Sequence, residues 1–151
     1  MFKIIKIPKT IINKIFSVVE KNKLKEKCID TTFTVNGYQS DNIVKLFNKN
    51  LLKKILPIQE FYKKIFHIHY IEYFLNGYQE EHNHINSEKY SFILYLNNSN
   101  GDTIFNHPIN KRICPELGKL IFFDSSIGHK GEMSTQSKKI LVGAVERINN
   151  A

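Results

Sequence analysis

Two histidines separated by one residue, His82 and His84, are the residues whose type and spacing first suggest chemistry in this chain. If residues 78–84 form a strand, side chains two apart share a face and lie about 6.5 Å apart, within reach of one metal ion. A His-x-His pair is weak evidence alone, because many such pairs are surface residues. His129 follows His84 by 45 residues, in a segment with the pattern of a strand and a turn, GKLIFFDSSIGHKG. The three histidines together predict a metal site.

A lysine soon after the third histidine predicts an anion-binding pocket. Lys139 begins the segment KILVGAVE, which would be apolar on both faces of a strand. An ammonium buried there is costly unless an anion pairs with it. We expect Gly143, on the same face, to leave room for that anion, and Tyr95 to point its phenol into the same cavity.

Other polar candidates carry less weight. His67 and His69 also form a His-x-His pair, but no later histidine follows at a suggestive spacing, so a structural or surface role is expected. Asp102 and Asp124 are acidic candidates that lack the spacing required of a further ligand.

The second half of the chain is predicted to be all β. The stretch FHIHYIEYFLN lacks a helical stripe and predicts a long strand before Gly77 and the histidine strand. Residues 90–96 are uncharged and rich in aromatic and aliphatic side chains, so we expect a buried strand that pairs with the histidine strand. Between turn-forming residues, further strands are predicted at 102–105, 118–124 and 139–147.

The first half is predicted to be mainly helical. Residues 2–7 predict an edge strand, and 31–35 a second strand that ends at the Asn36-Gly37 turn. Apolar stripes predict three helices. The first covers 10–21 and is capped by Thr10, and the second is capped by Ser40 with a stripe that continues to Ile55. The third starts at Pro57, and its stripe consists of Ile58, Phe61, Tyr62 and Ile65. Helices followed by many short strands favour an α+β fold, an antiparallel sandwich with helices on one face.

Length and composition narrow the function classes. The 151 residues suit one domain, with a helical support region at 1–66 and a β core at 67–151 that carries the metal site. The cysteines, Cys28 and Cys114, form no disulfide or zinc pattern and suit the cytoplasm, and no run approaches the roughly 18 apolar residues of a membrane span. The excess positive charge behind the net charge of +8 lies in residues 1–65, which contain 14 lysines and 5 acidic residues. Because the chain has only two arginines, this favours a solvated lysine-rich surface over specific nucleic-acid binding.

The order of these segments resembles the prolyl-hydroxylase-like branch of the 2-oxoglutarate and Fe(II)-dependent oxygenases, particularly the short oxygenases of bacteria and phages. The resemblance covers residues 73–146, about half the chain. GYQEEHNH is similar to the first metal motif of the family, YSFILYLN to the next core strand, PELGKLIFFDSSIGH to the last ligand segment, and KKILVGAVE to the strand with the basic anchor. The resemblance implies a double-stranded β-helix, a jelly-roll or cupin-like core, with the N-terminal helices packed on one sheet.

The resemblance also implies roles for particular residues. His82, His84 and His129 would hold Fe(II) on one face of an octahedron, and 2-oxoglutarate would chelate the opposite side. The distal carboxylate of 2-oxoglutarate would pair with Lys139 and accept a hydrogen bond from Tyr95. Tyr73 would form a wall of that pocket, and Lys138 is the competing anchor. The implied reaction uses O2, decarboxylates 2-oxoglutarate to succinate and hydroxylates a C–H bond of an unknown small molecule or peptide.

The chain departs from the family pattern at His84, where many relatives have aspartate. Three neutral imidazoles leave the metal charge uncompensated until an anion binds, and they also match the three-histidine pattern of catalytic zinc. The sequence therefore leaves three hypotheses: an iron oxygenase, a three-histidine cupin-like metalloenzyme that uses no 2-oxoglutarate, and a noncatalytic basic binding module. Lys139 and Tyr95 favour the first, while substrate and oligomeric state stay open.

Overall fold

The computed structural model describes residues 1–24, 28 and 29, 34–83 and 89–148. Its helices are α1 (Lys9–Lys21) and α2 (Lys49–Ile55), with 3₁₀ turns at Val44–Leu46 and Gln59–Phe61. None of the described helices is long and apolar enough to cross a membrane. The described strands are β1 (Phe2–Lys6), β2 (Cys28–Ile29), β3 (Thr34–Ser40), β4 (Tyr62–His82), β5 (Lys89–Tyr95), β6 (Thr103–Phe105), β7 (Lys111–Ile113), β8 (Lys119–Asp124), β9 (His129–Gly131) and β10 (Lys138–Arg147).

The long strand β4 belongs to two walls of one curled antiparallel sheet. From Tyr62 to Tyr73 it pairs with β10, and near its end Gln79 and His82 pair with β9. The larger wall has the order β1-β8-β5-β10-β4, with β3 on the other edge of β4, and the smaller wall has the order β4-β9-β6-β7. This arrangement confirms the predicted jelly-roll fold with helices against one sheet.

The central strands of the larger wall, β8, β5 and β10, are largely buried on both faces, because helices cover one face and the smaller wall covers the other. In β10, Leu141 and Val145 pack in the core beneath the helices, whereas Ile140 and Val142 face the interior between the walls. Successive side chains of a strand point to opposite faces. Adjacent residues of this strand therefore lie in different environments, although both faces are largely buried.

Several predicted elements are confirmed within a residue or two, namely α1, β1, β6, β8 and β10. The predicted third helix is wrong, because residues 59–61 form one 3₁₀ turn and β4 begins at Tyr62. Strand pairing with Arg147 and its neighbours decides the conformation there, against the helical stripe. Residues 1–66 also contain β1, β2 and β3, so this region is not mainly helical.

The predicted caps and one strand pairing are also corrected. Thr10 lies inside α1, which follows Pro8, and Ser40 ends β3. The cap of α2 is Asn48, whose side chain accepts a hydrogen bond from the Leu51 amide at 2.8 Å. The predicted turn at Asn36-Gly37 lies inside β3, and β5 pairs with β10 and β8 instead of β4. The partners of β5 are distant in sequence, so no local pattern indicates them.

Candidate metal and anion site

Two of the three predicted metal ligands meet where the walls join. His82 ends β4, His129 begins β9, and the two residues are cross-strand partners. Their ring centroids lie 4.3 Å apart. His84 lies outside the described residues, and among those described no three histidine, cysteine or acidic side chains are grouped as metal ligands. The structure therefore brings together one predicted pair of the triad.

Backbone carbonyls fix the tautomer of both rings. His82 Nδ1 lies 2.9 Å from the Glu80 carbonyl oxygen, and His129 Nδ1 lies 3.1 Å from that of Ile127. A carbonyl oxygen only accepts, so each Nδ1 is assigned the proton, and Nε2 is the unprotonated nitrogen of a neutral ring. Metal-binding histidines are oriented in this way, by donating the other ring N–H to a carbonyl or carboxylate. The donor atoms of this pair fit a divalent transition metal.

The surroundings of His129 are apolar. Its ring is buried, with the centroids of Phe105 and Phe123 at 5.8 and 5.0 Å. An apolar shell of this kind limits water access and strengthens electrostatic interactions at a metal site.

Asn106 joins the two segments that precede His82 and His129, and sequence analysis did not identify it. Its side-chain amide donates to the carboxylate of Glu81, the residue before His82. It also fills the space beside Gly128, the residue before His129, where a Cβ would lie 2.8 Å from Asn106 Nδ2. A single asparagine between strands carries no periodic or spacing signal, so this contact becomes visible only in the fold.

Lys138 is buried in the interior, beside the strand that begins at His129. Lys138 Nζ donates to the Gly101 carbonyl oxygen at 2.9 Å and sits 4.9 Å from the ring centroid of Tyr73. A Cβ on Gly131 would lie 3.3 Å from this ammonium, and Gly131 is two residues, or about 6.5 Å, along β9 from His129. One short ligand could therefore contact both the ammonium and the predicted metal.

Burial makes the charge of Lys138 expensive. Desolvation lowers its pKa to about 8, although the carboxylates of Asp102 and Glu132 partly oppose this change. Both carboxylates bind the exposed Arg112, and in the described part of the chain no carboxylate is within ion-pair distance of Lys138. The position favours a bound anion.

Two buried tyrosines lie close to this lysine. The Tyr95 hydroxyl and Thr103 Oγ1 are 2.5 Å apart, and Tyr73 is the cross-strand partner of Lys138. Burial raises the pKa of both phenols, so both stay protonated and can donate hydrogen bonds. The Tyr95–Thr103 pair is linked to Lys138 through Gly131, because Thr103 is the cross-strand partner of Gly131 and a Cβ on Gly131 would lie 3.3 Å from the ammonium.

The predicted direction of Lys139 is wrong. Its ammonium lies 5.6 Å from the ring centroid of Phe16 in α1, on the helical side of the larger wall. Gly143 does not leave room for an anion either, because a Cβ there would lie 2.6 Å from the ring of Phe92. The alternation along β10 was predicted correctly, but the face that turns to the interior was not.

A cavity of about 200 Å³ lies beside His82 and His129. His67 and His69 line it together with His82 and His129, so the first His-x-His pair faces the interior and is not a surface feature. The acidic candidates lie elsewhere, since Asp102 pairs with Arg112 and Asp124 with Arg147.

The interior polar groups form two sets with an aliphatic layer between them. Along the paired strands, Lys138 lies opposite Tyr73, then Ile140 opposite Ile71, then Val142 opposite His69. Each step is two residues, or about 6.5 Å. Along these two strands Lys138 therefore lies two steps from the level of His69, with Ile71 and Ile140 between them.

Comparison with solved structures identifies the fold. A prolyl-4-hydroxylase from Pseudomonas putida is similar with a TM-score of 0.75 at 13% identity, over 98% of this chain and 93% of that one. The viral collagen prolyl hydroxylase of Paramecium Bursaria Chlorella virus-1, in complex with 2-oxoglutarate, gives 0.68 at 14% identity over 97% and 96%. HygX from Streptomyces hygroscopicus, with nickel and 2-oxoglutarate bound, gives 0.73 at 10% identity over 97% and 82%.

No protein-family model and no curated protein sequence matches the chain. The similarity therefore concerns the fold. This chain has the prolyl-4-hydroxylase-like fold of the 2-oxoglutarate and Fe(II)-dependent oxygenases.

Proposed function

We propose that this protein is a 2-oxoglutarate- and Fe(II)-dependent oxygenase that oxidises a small molecule or peptide. The observation that carries the proposal is the buried Lys138 in the interior of this fold. Its ammonium lies beside Gly131, which is two residues along β9 from His129 of the His82–His129 pair. A metal site alone requires no buried cation nearby. A cosubstrate with an anionic end and a chelating end requires both.

Each part of a 2-oxoglutarate molecule would contact a chemically suitable group of the interior. The distal carboxylate would meet the Lys138 ammonium and the Tyr95 hydroxyl, which gives a charge-assisted hydrogen bond in a desolvated place. Its methylene groups would pass the aliphatic side chains of Ile140 and Ile71. The 2-oxo acid end would then reach the metal held by His82 and His129, with His84 as the expected third ligand.

The residues of the chain would bind, orient and exclude water. The Glu80 and Ile127 carbonyls hold the two imidazoles in the tautomer that ligates metal, and the Phe105 and Phe123 rings keep water from His129. When bound, Fe(II) and 2-oxoglutarate supply the activation of O2, with succinate and carbon dioxide as products. The protein determines which C–H bond lies close enough to react.

Anaerobic reconstitution tests the proposal. Fe(II) and 2-oxoglutarate added together should produce a visible metal-to-ligand charge-transfer band that neither gives alone, and admission of O2 should release succinate. The matched control is Lys138→Met, which should bind Fe(II) but need far more 2-oxoglutarate to develop the band. Absence of the band in the wild-type protein at saturating Fe(II) and 2-oxoglutarate would refute the proposal. Tight metal binding in that case would support the three-histidine metalloenzyme.

A further inference from the structure

A third imidazole of the cavity is held in the same way as the metal histidines. His69 Nδ1 lies 3.0 Å from the carbonyl oxygen of Ser40. Ser40 is itself fixed, because its hydroxyl donates to the Asp41 carbonyl oxygen and accepts from the Tyr70 amide, each at 2.8 Å. The orientation of the His69 ring is therefore set by the end of β3.

The Ser40 carbonyl determines what His69 offers to the cavity. The carbonyl oxygen only accepts, so Nδ1 carries the proton, and in the neutral ring Nε2 is a hydrogen-bond acceptor. His69 lines the same cavity as His82 and His129 from the larger wall, so its acceptor nitrogen is offered to a ligand in that cavity.

The rest of this cavity limits the size and polarity of that ligand. The His67 ring centroid lies 5.0 Å from that of His69, and Gln39 and Ser91 add polar side chains to the lining. The Ser91 hydroxyl is engaged with Ser125 Oγ at 2.8 Å. The volume of about 200 Å³ is below the roughly 300–1,000 Å³ of pockets for drug-sized ligands. One small polar molecule, or one side chain of a larger substrate, fits these limits.

We propose that His69 is a specificity-determining residue of this site, and that the substrate group entering the cavity is small, uncharged and carries an O–H or N–H that His69 Nε2 accepts. This inference rests on the proposed function, since it takes the cavity beside the metal pair as the place where the oxidised group binds. It excludes a carboxylate as the partner of His69, because two acceptors repel.

The first test measures the tautomer directly. Nitrogen NMR of the full chain, labelled at histidine, should show His69 with a protonated Nδ1 and an unprotonated Nε2, with assignment by loss of the signal in His69→Gln. A protonated Nε2 in the neutral ring would overturn the proposal.

The second test compares cyclopentanol with cyclopentanone, two probes of matched shape that differ in having a hydroxyl donor. Titrations followed by the His69 nitrogen shifts, with and without Zn(II), should show cyclopentanol binding about two- to tenfold more tightly, the range for one neutral hydrogen bond. In the variants, binding is followed by the methyl shifts of Ile71 and Ile93. The preference for cyclopentanol should vanish in His69→Leu and persist in His69→Gln, whose amide oxygen can accept a hydrogen bond. His107→Gln, an exposed change that does not line this cavity, should leave the preference unchanged.

Three outcomes would overturn the assignment: equal affinity for the two probes, no binding of either in the cavity, or a preference that survives in His69→Leu. A weaker affinity of His69→Gln for 2-oxoglutarate in the charge-transfer titration would also overturn it, because His69 would then contact the cosubstrate. Failure of the proposed function is a separate result. It would appear as a missing charge-transfer band, whereas the tautomer and the probe preference are measured without iron or 2-oxoglutarate.

Discussion

Replacing Lys138 by methionine should move cosubstrate affinity and protein stability in opposite directions. Removing one partner of a buried charge pair typically costs about 2 to 5 kcal/mol, which is about 30- to 4,000-fold in affinity. The lowering of the Lys138 pKa from 10.5 to about 8 means that burial of the charge costs the empty protein about 3 kcal/mol, at about 1.4 kcal/mol per pKa unit. Methionine keeps most of the length of the side chain and removes that cost.

The assay measures both quantities on the same protein. The anaerobic charge-transfer band should need about 30-fold or more additional 2-oxoglutarate in Lys138→Met, while melting of the apo protein rises by about 2 to 4 °C for each kcal/mol gained. Lys139→Met is the matched control, since this lysine packs on Phe16, and it should change 2-oxoglutarate affinity little. Unchanged affinity in Lys138→Met, or a destabilised apo protein with normal affinity, would refute the anchor.

Three further predictions concern the metal pair, pH and packing. His129→Ala should abolish most of the affinity for one divalent metal per chain, measured by competition with a chelator; unchanged stoichiometry and affinity would rule out the predicted site. If the ammonium form of Lys138 binds the cosubstrate, as proposed, its pKa of about 8 in the free protein means that 2-oxoglutarate affinity should be level below that pH and fall up to tenfold per unit above it. Apo stability should instead rise between about pH 8 and 10.5, where the unfolded chain binds more protons than the folded one; a flat titration of both would contradict the assignment. Gly143→Ala should lower the free energy of unfolding by about 1 to 3 kcal/mol or more, because the added Cβ would collide with the backbone carbonyl oxygen of His67 and with the ring of Phe92, read by urea denaturation. Near-wild-type stability would contradict this overpacking, because movement of Phe92 alone would not relieve the contact with the His67 carbonyl.

The sequence predicted which side chains of a strand share a face, because this depends only on local alternation. It did not predict which of the two faces turns to the interior. In β10 the period of two correctly separates Lys138 from Lys139, but both faces of that strand are buried, one by helices and one by the opposite wall. A hydrophobic pattern identifies the inner face only when the other face is polar. The same limit applies to His67 and His69, whose shared face was predicted but whose position in the cavity was not.

Long-range pairing accounts for the other errors. Tyr62 and Ile65 fit a helical stripe, yet both lie in β4 because their partners in β10 are eighty or more residues away in the chain. The contact of Asn106 with Glu81 likewise joins segments that the sequence keeps apart. By contrast, the proximity of His82 and His129 was predicted, although their strand pairing was not, because the ligand residue types themselves carry a chemical signal.

The cost of burying Lys138 separates the two metalloenzyme hypotheses. In a three-histidine enzyme without a cosubstrate, the buried ammonium keeps only a carbonyl oxygen and an aromatic face as close partners among the described residues. Three neutral imidazoles would at the same time leave the metal charge uncompensated. A dicarboxylate offsets both charges, since one end pairs with the lysine and the other brings negative charge to the metal. The aliphatic layer of Ile71 and Ile140 between these ends suits the methylene groups of such a ligand and would disfavour two separate anions.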